Sequence, residues 1–179
     1  MKPLDKREVR NNYDDLGGGL YDIRYKEEQS RKYDVALKLT RPGRDDLLID
    51  DGCGTGMFFK YVDSPCVGLD LSINLLAIAK KRLKPNHHLL QGDSEHLPFR
   101  NRVFHGIYAI TLIQNLPDKE LAVLEMRRVS RAQATLFVTA LKTTFNREYL
   151  SGLLEGKGFN GVEVTGDEGT NDWIAYAKA

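Results

Sequence analysis

Apolar positions along this chain alternate between helical spacing and short continuous runs. Between Lys26 and Thr40 they recur every three or four residues, and Arg41-Pro42-Gly43 ends the segment. Leu47-Leu48-Ile49 is a short apolar run followed by a glycine loop. A strand whose two faces are both covered by helices has this appearance. The pattern therefore predicts a helix over 26–40 and a buried strand over 47–49.

The same alternation continues to the end of the chain. Further helices are predicted at about 55–62, 73–83, 118–129 and 145–157, and further strands at 66–69, 88–90, 103–110 and 134–141. The last apolar runs, 162–164 and 173–176, flank a polar turn and predict a β-hairpin. Strands that alternate with helices are typical of α/β proteins. We expect a mostly parallel seven-stranded sheet with helices on both faces and a C-terminal antiparallel hairpin.

The residues before the first predicted helix differ in character from the rest. They are aromatic and charged, and Gly17-Gly18-Gly19 predicts a flexible joint within them. A length of 179 residues fits one domain. We therefore expect residues 1–25 to form an N-terminal arm, a lid over the site, and residues 26–179 to form a single domain.

Composition excludes several classes of protein. No apolar run approaches the roughly 20 residues that cross a bilayer, and the polar start does not look like a secretory signal. Cys53 and Cys66 are too few for a disulfide framework and lack metal spacing, so we predict no metal site and a reducing, cytoplasmic location. The net charge of +1 does not indicate nucleic-acid binding. Short basic clusters at 80–84 and 127–131 suit the ends of predicted helices, although an RNA-facing role stays open.

The loop after the first strand has the most informative spacing. Asp50-Asp51-Gly52-Cys53-Gly54-Thr55-Gly56 lies where ligands bind in open α/β sheets, at the carboxyl end of a strand. Glycines let the backbone turn sharply and approach a ligand closely. The dinucleotide fingerprint needs glycine at the first, third and sixth positions, and Met57 occupies the sixth. A dinucleotide-dependent oxidoreductase is therefore disfavoured.

With glycines at the first, third and fifth positions and an acid two residues earlier, this loop resembles motif I of the class I methyltransferases. Three further segments resemble that superfamily in the same order: Val67 to Ser72, Gln91 to Phe99, and Val103 to Ile107. The resemblance covers about 46–138. It is closest to the broad subgroup that contains ubiquinone-biosynthesis-like and tRNA-wobble-uridine-pathway-like enzymes. It implies a Rossmann-like fold, methyltransferase activity and S-adenosylmethionine as the cofactor.

The resemblance also implies where the cofactor binds. Asp70 would accept hydrogen bonds from both ribose hydroxyls, Asp93 and Ser94 would hold the adenine, and Asp50 would approach the methionine moiety, with Asp51 as the alternative. The full set of expected cofactor-binding residues is Asp50, Gly52, Cys53, Gly54, Gly56, Asp70, Leu71, Asp93 and Ser94. Cys53 is expected to be a small loop residue and not a nucleophile.

Residues on the acceptor side are less well determined. Gln114 and Asn115 follow the fourth strand and are candidates to orient a polar acceptor, or alternatively to cap the helix that begins near Asp118. The motif Asn/Asp-Pro-Pro-aromatic is absent, which disfavours methylation of adenine N6 or of glutamine amides. Tyr13 and Tyr21 in the arm are candidates to face the sulfonium, or alternatively pack on the first helix.

No catalytic residue can be named. Methyl transfer requires chiefly that the nucleophile be held in line with the methyl carbon. His96 and His105 are weak candidates for a base, and His105 stands where the family more often has aspartate.

The acceptor and any partner are open. Only about 142–159 links the fifth and sixth strands, where larger relatives carry substrate-recognition structure. Either the acceptor is therefore small, or a partner protein supplies recognition. The design resembles small translation-related methyltransferases that depend on a small activator subunit, and this resemblance favours RNA or a translation-related protein as acceptor, with a small activator protein as partner. The alternatives are a small-molecule methyltransferase and a catalytically silent cofactor-binding subunit.

Overall fold

Seven strands form one sheet in the computed structural model, which describes residues 5–6, 18–166 and 169–179, with only the backbone for 18–26. The strands are β1 (Leu48–Asp51), β2 (Cys66–Asp70), β3 (His87–Gln91), β4 (Phe104–Ala109), β5 (Ser130–Leu141), β6 (Asn160–Gly166) and β7 (Asp172–Lys178). Their order is β3-β2-β1-β4-β5-β7-β6. The first five are parallel, and β7 lies antiparallel between β5 and β6. The predicted fold class is confirmed.

Within residues 18–166 and 169–179, the strands are accompanied by the α-helices α1 (Gly18–Thr40), α2 (Ile73–Ala79), α3 (Lys119–Val129) and α4 (Arg147–Glu155). Polar side chains begin three of them by accepting an otherwise unpaired backbone N–H. Ser72 accepts from the Leu75 amide, Asp118 from the Leu121 amide and Asn146 from the Tyr149 amide. Single turns of 3₁₀ helix lie at Met57–Lys60, Lys80–Arg82 and Ile113–Asn115.

The two faces of the sheet carry separate hydrophobic clusters, because successive side chains of a strand point to opposite faces. Ile49 and Ile107 belong to the cluster that includes apolar residues of α3 and α4. Leu48 and Tyr108, their neighbours along β1 and β4, belong to the cluster that includes apolar residues of α1. All four residues of β1 are buried, as expected for a central strand covered on both sides.

Two predicted helices are shorter than their apolar spacing suggested. The helix expected over 55–62 is only the 3₁₀ turn Met57–Lys60, because Gly56 has a φ of 73° and cannot be part of a right-handed helix. The helix expected over 73–83 leaves α-helical geometry after Ala79 and ends with the 3₁₀ turn Lys80–Arg82. Most apolar residues of both segments are buried, although Ile73 is exposed, and the predicted length of the α-helix was wrong in both.

The first helix is longer than predicted. It begins at Gly18 and continues without a break past residue 25, so Gly18 and Gly19 lie inside α1 and do not form a joint. The division into an arm and a domain stays a prediction. Within the described residues no helix is both long enough and apolar enough to cross a membrane.

Candidate functional site

A cavity opens at the carboxyl edge of the parallel strands, where β1, β2, β3 and β4 end. Eight of the residues predicted for the cofactor or the acceptor line it: Gly52, Cys53, Gly54, Asp70, Leu71, Asp93, Ser94 and Asn115. Asp50, Gly56 and Gln114 do not line it. The loops that follow four different strands therefore converge on one cavity, which is the arrangement expected at a switch point in strand order.

Two glycines of the loop after β1 have different functions. Gly54 has a φ of 54°, and a Cβ added there would meet no atom within 4 Å. It lines the cavity, so its missing side chain leaves room for a ligand close to the backbone. Gly56 has a φ of 73°, and a Cβ there would lie 2.8 Å from the Cβ of Ala79 and 2.9 Å from the Phe59 ring. Gly56 is therefore required for packing of the loop on α2.

Asp70 stands at the end of β2 with its carboxylate fixed by the backbone. One oxygen accepts the Gly54 amide at 2.8 Å and the other accepts the Ser72 amide at 2.9 Å. These bonds join the glycine loop to the start of α2 and orient the carboxylate at the cavity wall. Charge-assisted bonds of this kind are stronger than those between neutral groups.

Asp93, after β3, is bonded to a residue that the sequence did not single out. Its Oδ2 accepts from Lys6 Nζ at 2.6 Å, and its Oδ1 accepts the Glu95 amide at 3.0 Å. Burial would raise the pKa of Asp93, but these hydrogen bonds hold the pKa below its usual value. Lys6 also pairs with Glu95 at 2.5 Å and lines the cavity. Nothing in the spacing around Lys6 signals this contact.

Two further acids lie beneath the glycine loop. Asp50 is 4% exposed and Asp51 is fully buried. Burial, with the charges of Asp51 and Asp70, raises the pKa of Asp50 well above its usual range. Burial also raises the pKa of Asp51, to about 7, although Ser94 opposes the shift by donating to its Oδ1 at 2.6 Å. Both acids are therefore behind the cavity wall, and Asp51 acts on the site through Ser94.

The far wall of the cavity centres on Thr111, directly after β4. Thr111 has a φ of 60°, a left-handed conformation that is rare for a β-branched residue. Its hydroxyl bonds Gln29 Nε2 at 3.2 Å, Lys32 Nζ at 3.0 Å and Asp172 Oδ2 at 3.3 Å. The Thr139 hydroxyl accepts a hydrogen bond from the Thr111 amide at 2.8 Å and donates one to Asp172 Oδ2 at 2.7 Å. This network fixes the backbone and side chain of Thr111 at the far wall of the cavity.

Gln114 and Asn115 also contact Thr111, through its backbone carbonyl. Both side-chain amides donate to the Thr111 carbonyl, at 2.7 Å and 3.3 Å. Asn115 lines the cavity, while the Gln114 side chain is buried against the loop. Neither residue caps α3, because Asp118 does so. The alternative interpretation of this pair as helix caps was therefore wrong.

An aromatic residue does reach the cavity, but it was not one of those predicted. Tyr33 of α1 is 8% exposed, lines the cavity beside Gln29, and packs on Phe58 and Tyr61. Its helical spacing predicted only a place in the core. Tyr13 lies outside the described residues, and for Tyr21 the description covers the backbone on α1 but not the side chain.

Neither of the two candidate histidines lines the cavity, and the Cys53 thiol is buried. His96 is 72% exposed, with its Nδ1 3.6 Å from Asp93. His105 lies at the opposite end of β4, away from the cavity lining. Burial raises the pKa of the Cys53 thiol well above its usual value, so it is not a reactive thiolate. Among the described residues, no group of three or more histidine, cysteine, aspartate or glutamate side chains is arranged to hold a metal ion.

The basic clusters have structural partners. Arg82 donates to the Thr55 carbonyl at 2.7 Å, and Lys84 donates to the Val62 carbonyl at the same distance. Arg128 binds Glu125 with two nitrogens and also donates to the carbonyls of Leu97 and Phe99. These contacts favour the interpretation of Arg82, Lys84 and Arg128 as part of the fold.

Comparison with known proteins identifies the family. Residues 49–138, which contain the glycine loop, Asp70 and Asp93, match the methyltransferase domain family. This chain belongs to that family. The family and its cofactor, S-adenosylmethionine, both predicted from the four motifs, are therefore confirmed.

Several curated relatives share this part of the chain. An uncharacterized protein of Methanocaldococcus jannaschii is 28% identical over 154 residues, covering 85% of this chain and 59% of that protein. The demethylmenaquinone methyltransferase of Chlorobaculum tepidum is 31% identical over 107 residues, covering 58% of this chain and 44% of the enzyme. This methyltransferase-family chain thus spans about half the length of the curated relatives it matches.

Solved structures with the same fold carry out different reactions. A methyltransferase of Haloferax volcanii in complex with the Trm112 methyltransferase activator has a TM-score of 0.78 at 12% identity, covering 93% of this chain and 97% of that one. A methyltransferase of Thermotoga maritima has a TM-score of 0.75 at 18% identity, covering 95% and 99%. The [4+2]-cyclase SpnF has a TM-score of 0.70 at 17% identity, covering 83% and 79%. These likenesses show the fold, and the fold alone does not specify a reaction.

Proposed function

We propose that this protein transfers the methyl group of S-adenosylmethionine to an acceptor that enters between α1 and the loop after β4. The observation that carries the proposal is the convergence of Gly54, Asp70 and Asp93 on one cavity inside the methyltransferase domain. The bound cofactor supplies an electrophilic methyl group attached to a positively charged sulfur. The protein residues then need to bind the cofactor and to hold the acceptor in line with that methyl group.

The cavity residues fit this cofactor. Gly54 leaves open space beside the backbone, which suits close approach of the methionine moiety. The Asp70 carboxylate, already oriented by two amides, would accept the ribose hydroxyls. Asp93 and Ser94 lie on the next loop, where they would hold the adenine. Leu71 and Leu75 give that end of the cavity an apolar surface.

Asp93 would accept hydrogen bonds from both Lys6 and the adenine amine. The Lys6 ammonium lies 2.6 Å from Asp93 Oδ2 and also pairs with Glu95. A carboxylate has about four acceptor positions, so Asp93 can bind a second donor as well. Lys6 would thereby keep Asp93 ionised while the adenine binds.

The acceptor wall combines apolar and polar groups. Ile110, Leu112, Leu116 and Pro117 provide apolar surface, and Gln29, Thr111 and Asn115 provide hydrogen-bonding groups. This composition suits a planar or partly apolar acceptor whose polar atom is oriented by one or two hydrogen bonds. Because placement supplies most of the rate enhancement, the reaction requires no dedicated acid–base pair.

For the acceptor we favour RNA or a translation-related protein. The four motifs resemble a subgroup that includes tRNA-modifying enzymes, and the fold is similar to that of a methyltransferase that binds the Trm112 activator. A small-molecule acceptor and a silent cofactor-binding role are the competing hypotheses. The likeness to SpnF supports keeping them, because that protein is a cyclase on the same fold.

A transfer assay tests the function. The purified chain is incubated with S-adenosylmethionine labelled in the methyl group and, separately, with total tRNA, a ribosome-free protein fraction and a small-molecule extract. We expect label to enter one macromolecular fraction and to be lost with Asp70→Asn. Label in none of the three, from a chain that binds the cofactor, would contradict the transferase proposal and favour the silent role.

We also propose a small activator protein as partner. Support comes from the fold likeness to the Trm112-bound methyltransferase, over 93% of this chain. The test is co-expression with such an activator, followed by gel filtration and thermal unfolding. We expect a one-to-one complex that unfolds at a higher temperature than the chain alone. A monomeric, stable and fully active chain whose elution and unfolding the activator leaves unchanged would contradict this partner.

A further inference from the structure

A second cleft lies at the amino-terminal edge of the sheet, opposite the cofactor cavity. It encloses about 260 Å³ between the end of α1, the starts of β4 and β5, and the end of β7. None of the residues that line it also lines the cofactor cavity. It is therefore a separate feature, and the methyltransferase reaction assigns it no function.

The charged side chains of this cleft are mostly basic. Among the described residues that line it, Arg41, Arg131 and Lys178 are basic and Asp46 is acidic. One oxygen of Asp46 is engaged by the Gly43 amide at 2.7 Å, within its own turn. The cleft therefore has a net positive lining in a protein whose overall charge is only +1.

A pair of hydrogen-bond donors faces each other in the cleft. His105 Nδ1 accepts the Leu47 amide at 3.0 Å, so a neutral imidazole carries its proton on Nε2. That Nε2 lies 3.0 Å from Arg131 Nη1, which is always a donor. Two donors cannot bond each other, whereas a single acceptor oxygen placed beside both would satisfy them. The arrangement thus has the form of a site whose acceptor comes from a ligand.

The backbone around the cleft is also unusual. Among the described residues, four non-glycine residues have positive φ, and two of them, Arg41 at 46° and Gln133 at 64°, line this cleft. Such conformations tend to persist at ligand sites, where the surrounding structure holds them. A third, Thr111, lines the cofactor cavity.

We propose that this cleft binds an oxyanion of the phosphate class. Arg131 and the Nε2–H of His105 would donate to one oxygen, while Lys178 and Arg41 would provide compensating positive charge. A phosphate presents several oxygens and more than one negative charge, which matches two clustered donors and a net positive lining better than a carboxylate does.

Calorimetric titration with inorganic phosphate at low ionic strength tests the proposal. We expect saturable binding that is at least about tenfold weaker in Arg131→Gln, since a charge-assisted hydrogen bond is lost. Lys178→Gln, on a different strand, should also weaken binding, and it keeps the test valid if Arg131→Gln perturbs the fold. Arg100→Gln removes an exposed arginine outside both cavities and should change nothing. No saturable binding, or equal binding in all four proteins, would overturn the proposal.

A second titration distinguishes a free phosphate from a phosphodiester of RNA. A single-stranded RNA oligonucleotide is added to the native chain and to Arg131→Gln, with inorganic phosphate as competitor. RNA binding that phosphate displaces and that Arg131→Gln weakens supports the site and assigns it to backbone phosphate. RNA binding that is the same in both proteins, together with phosphate binding that differs, supports the site with the free ion as its ligand.

Discussion

Lys32 carries a buried positive charge whose removal has a definite expected cost. Its side chain is 2% exposed, and its Nζ lies 2.8 Å from Asp172 Oδ2, whose side chain is fully buried. It also contacts Glu28 at 3.1 Å and the Thr111 hydroxyl at 3.0 Å. Lys32→Met keeps the aliphatic length of the side chain but leaves Asp172 as a buried carboxylate without its cation.

The contacts of Asp172 set the expected loss of unfolding free energy in Lys32→Met. Removing one partner of a buried ion pair costs about 3–5 kcal/mol of unfolding free energy. Thr139 still donates to Asp172 at 2.7 Å, so we expect the lower end of that range. A loss of about 3 kcal/mol lowers Tm by roughly 6–12 °C in a chain of this length. The double variant Lys32→Met/Asp172→Asn removes the stranded charge and should recover most of the loss.

Urea unfolding followed by circular dichroism measures all four corners of this double-mutant cycle. Lys38→Met, at an exposed position of the same helix, is the control and should stay within about 0.5 kcal/mol of the native chain. A loss below about 1 kcal/mol in Lys32→Met, the range of surface pairs, would refute the reasoning. Additive losses in the double variant would refute it equally, because they would mean that the two side chains are not coupled.

Further predictions concern the end of β1 and the glycine loop that follows it. Burial raises the pKa of Asp51 to about 7, whereas the same group in the unfolded chain releases its proton near pH 4. Between these values the folded chain holds a proton that the unfolded chain does not. The stabilising contribution of Asp51 therefore falls as the pH rises from about 4 through 7. Relative to the native chain, the free energy of unfolding of Asp51→Asn should therefore increase between about pH 4 and pH 7 in urea titrations and level off above pH 7. A difference that is constant with pH would contradict this pKa. Gly56→Ala should lose about 2–5 kcal/mol, because it combines a left-handed backbone with a Cβ 2.8 Å from Ala79. Gly54→Ala should lose only about 1–2 kcal/mol of unfolding free energy, the cost of a left-handed backbone at alanine, but should bind S-adenosylhomocysteine more weakly. Equal losses of stability in the two alanine variants would count against the assigned functions.

Much of the sheet could be predicted because its central strands, such as β1 and β4, are buried on both faces. Continuous apolar runs such as Leu47 to Ile49 have few alternative structures, and the helices between them followed from their spacing. The segment after Gly56 could not be predicted in the same way. A helix was predicted there, but a left-handed glycine limits it to one 3₁₀ turn.

The residues on the cofactor side of the site were easier to predict from the sequence than those on the acceptor side. Asp70 ends β2, and Gly54 and Asp93 lie in the loops just after β1 and β3, so their positions at one edge follow from the topology. Lys32 and Asp172 are 140 positions apart, and each looks like an ordinary surface residue in its own segment. Their pairing depends on how α1 packs against β5 and β7, which no local pattern encodes.

Calorimetric titration with S-adenosylhomocysteine tests the central claim most directly. The native chain is compared with Asp70→Asn and with Asp34→Asn, an exposed acid of α1, as the matched control. We predict saturable binding by the native chain and by Asp34→Asn, and binding weaker by at least about tenfold in Asp70→Asn, since the variant loses charge-assisted bonds to the ribose. Equal affinity in all three folded proteins would contradict the assignment of Asp70, and no binding by the folded native chain would contradict the proposed site itself.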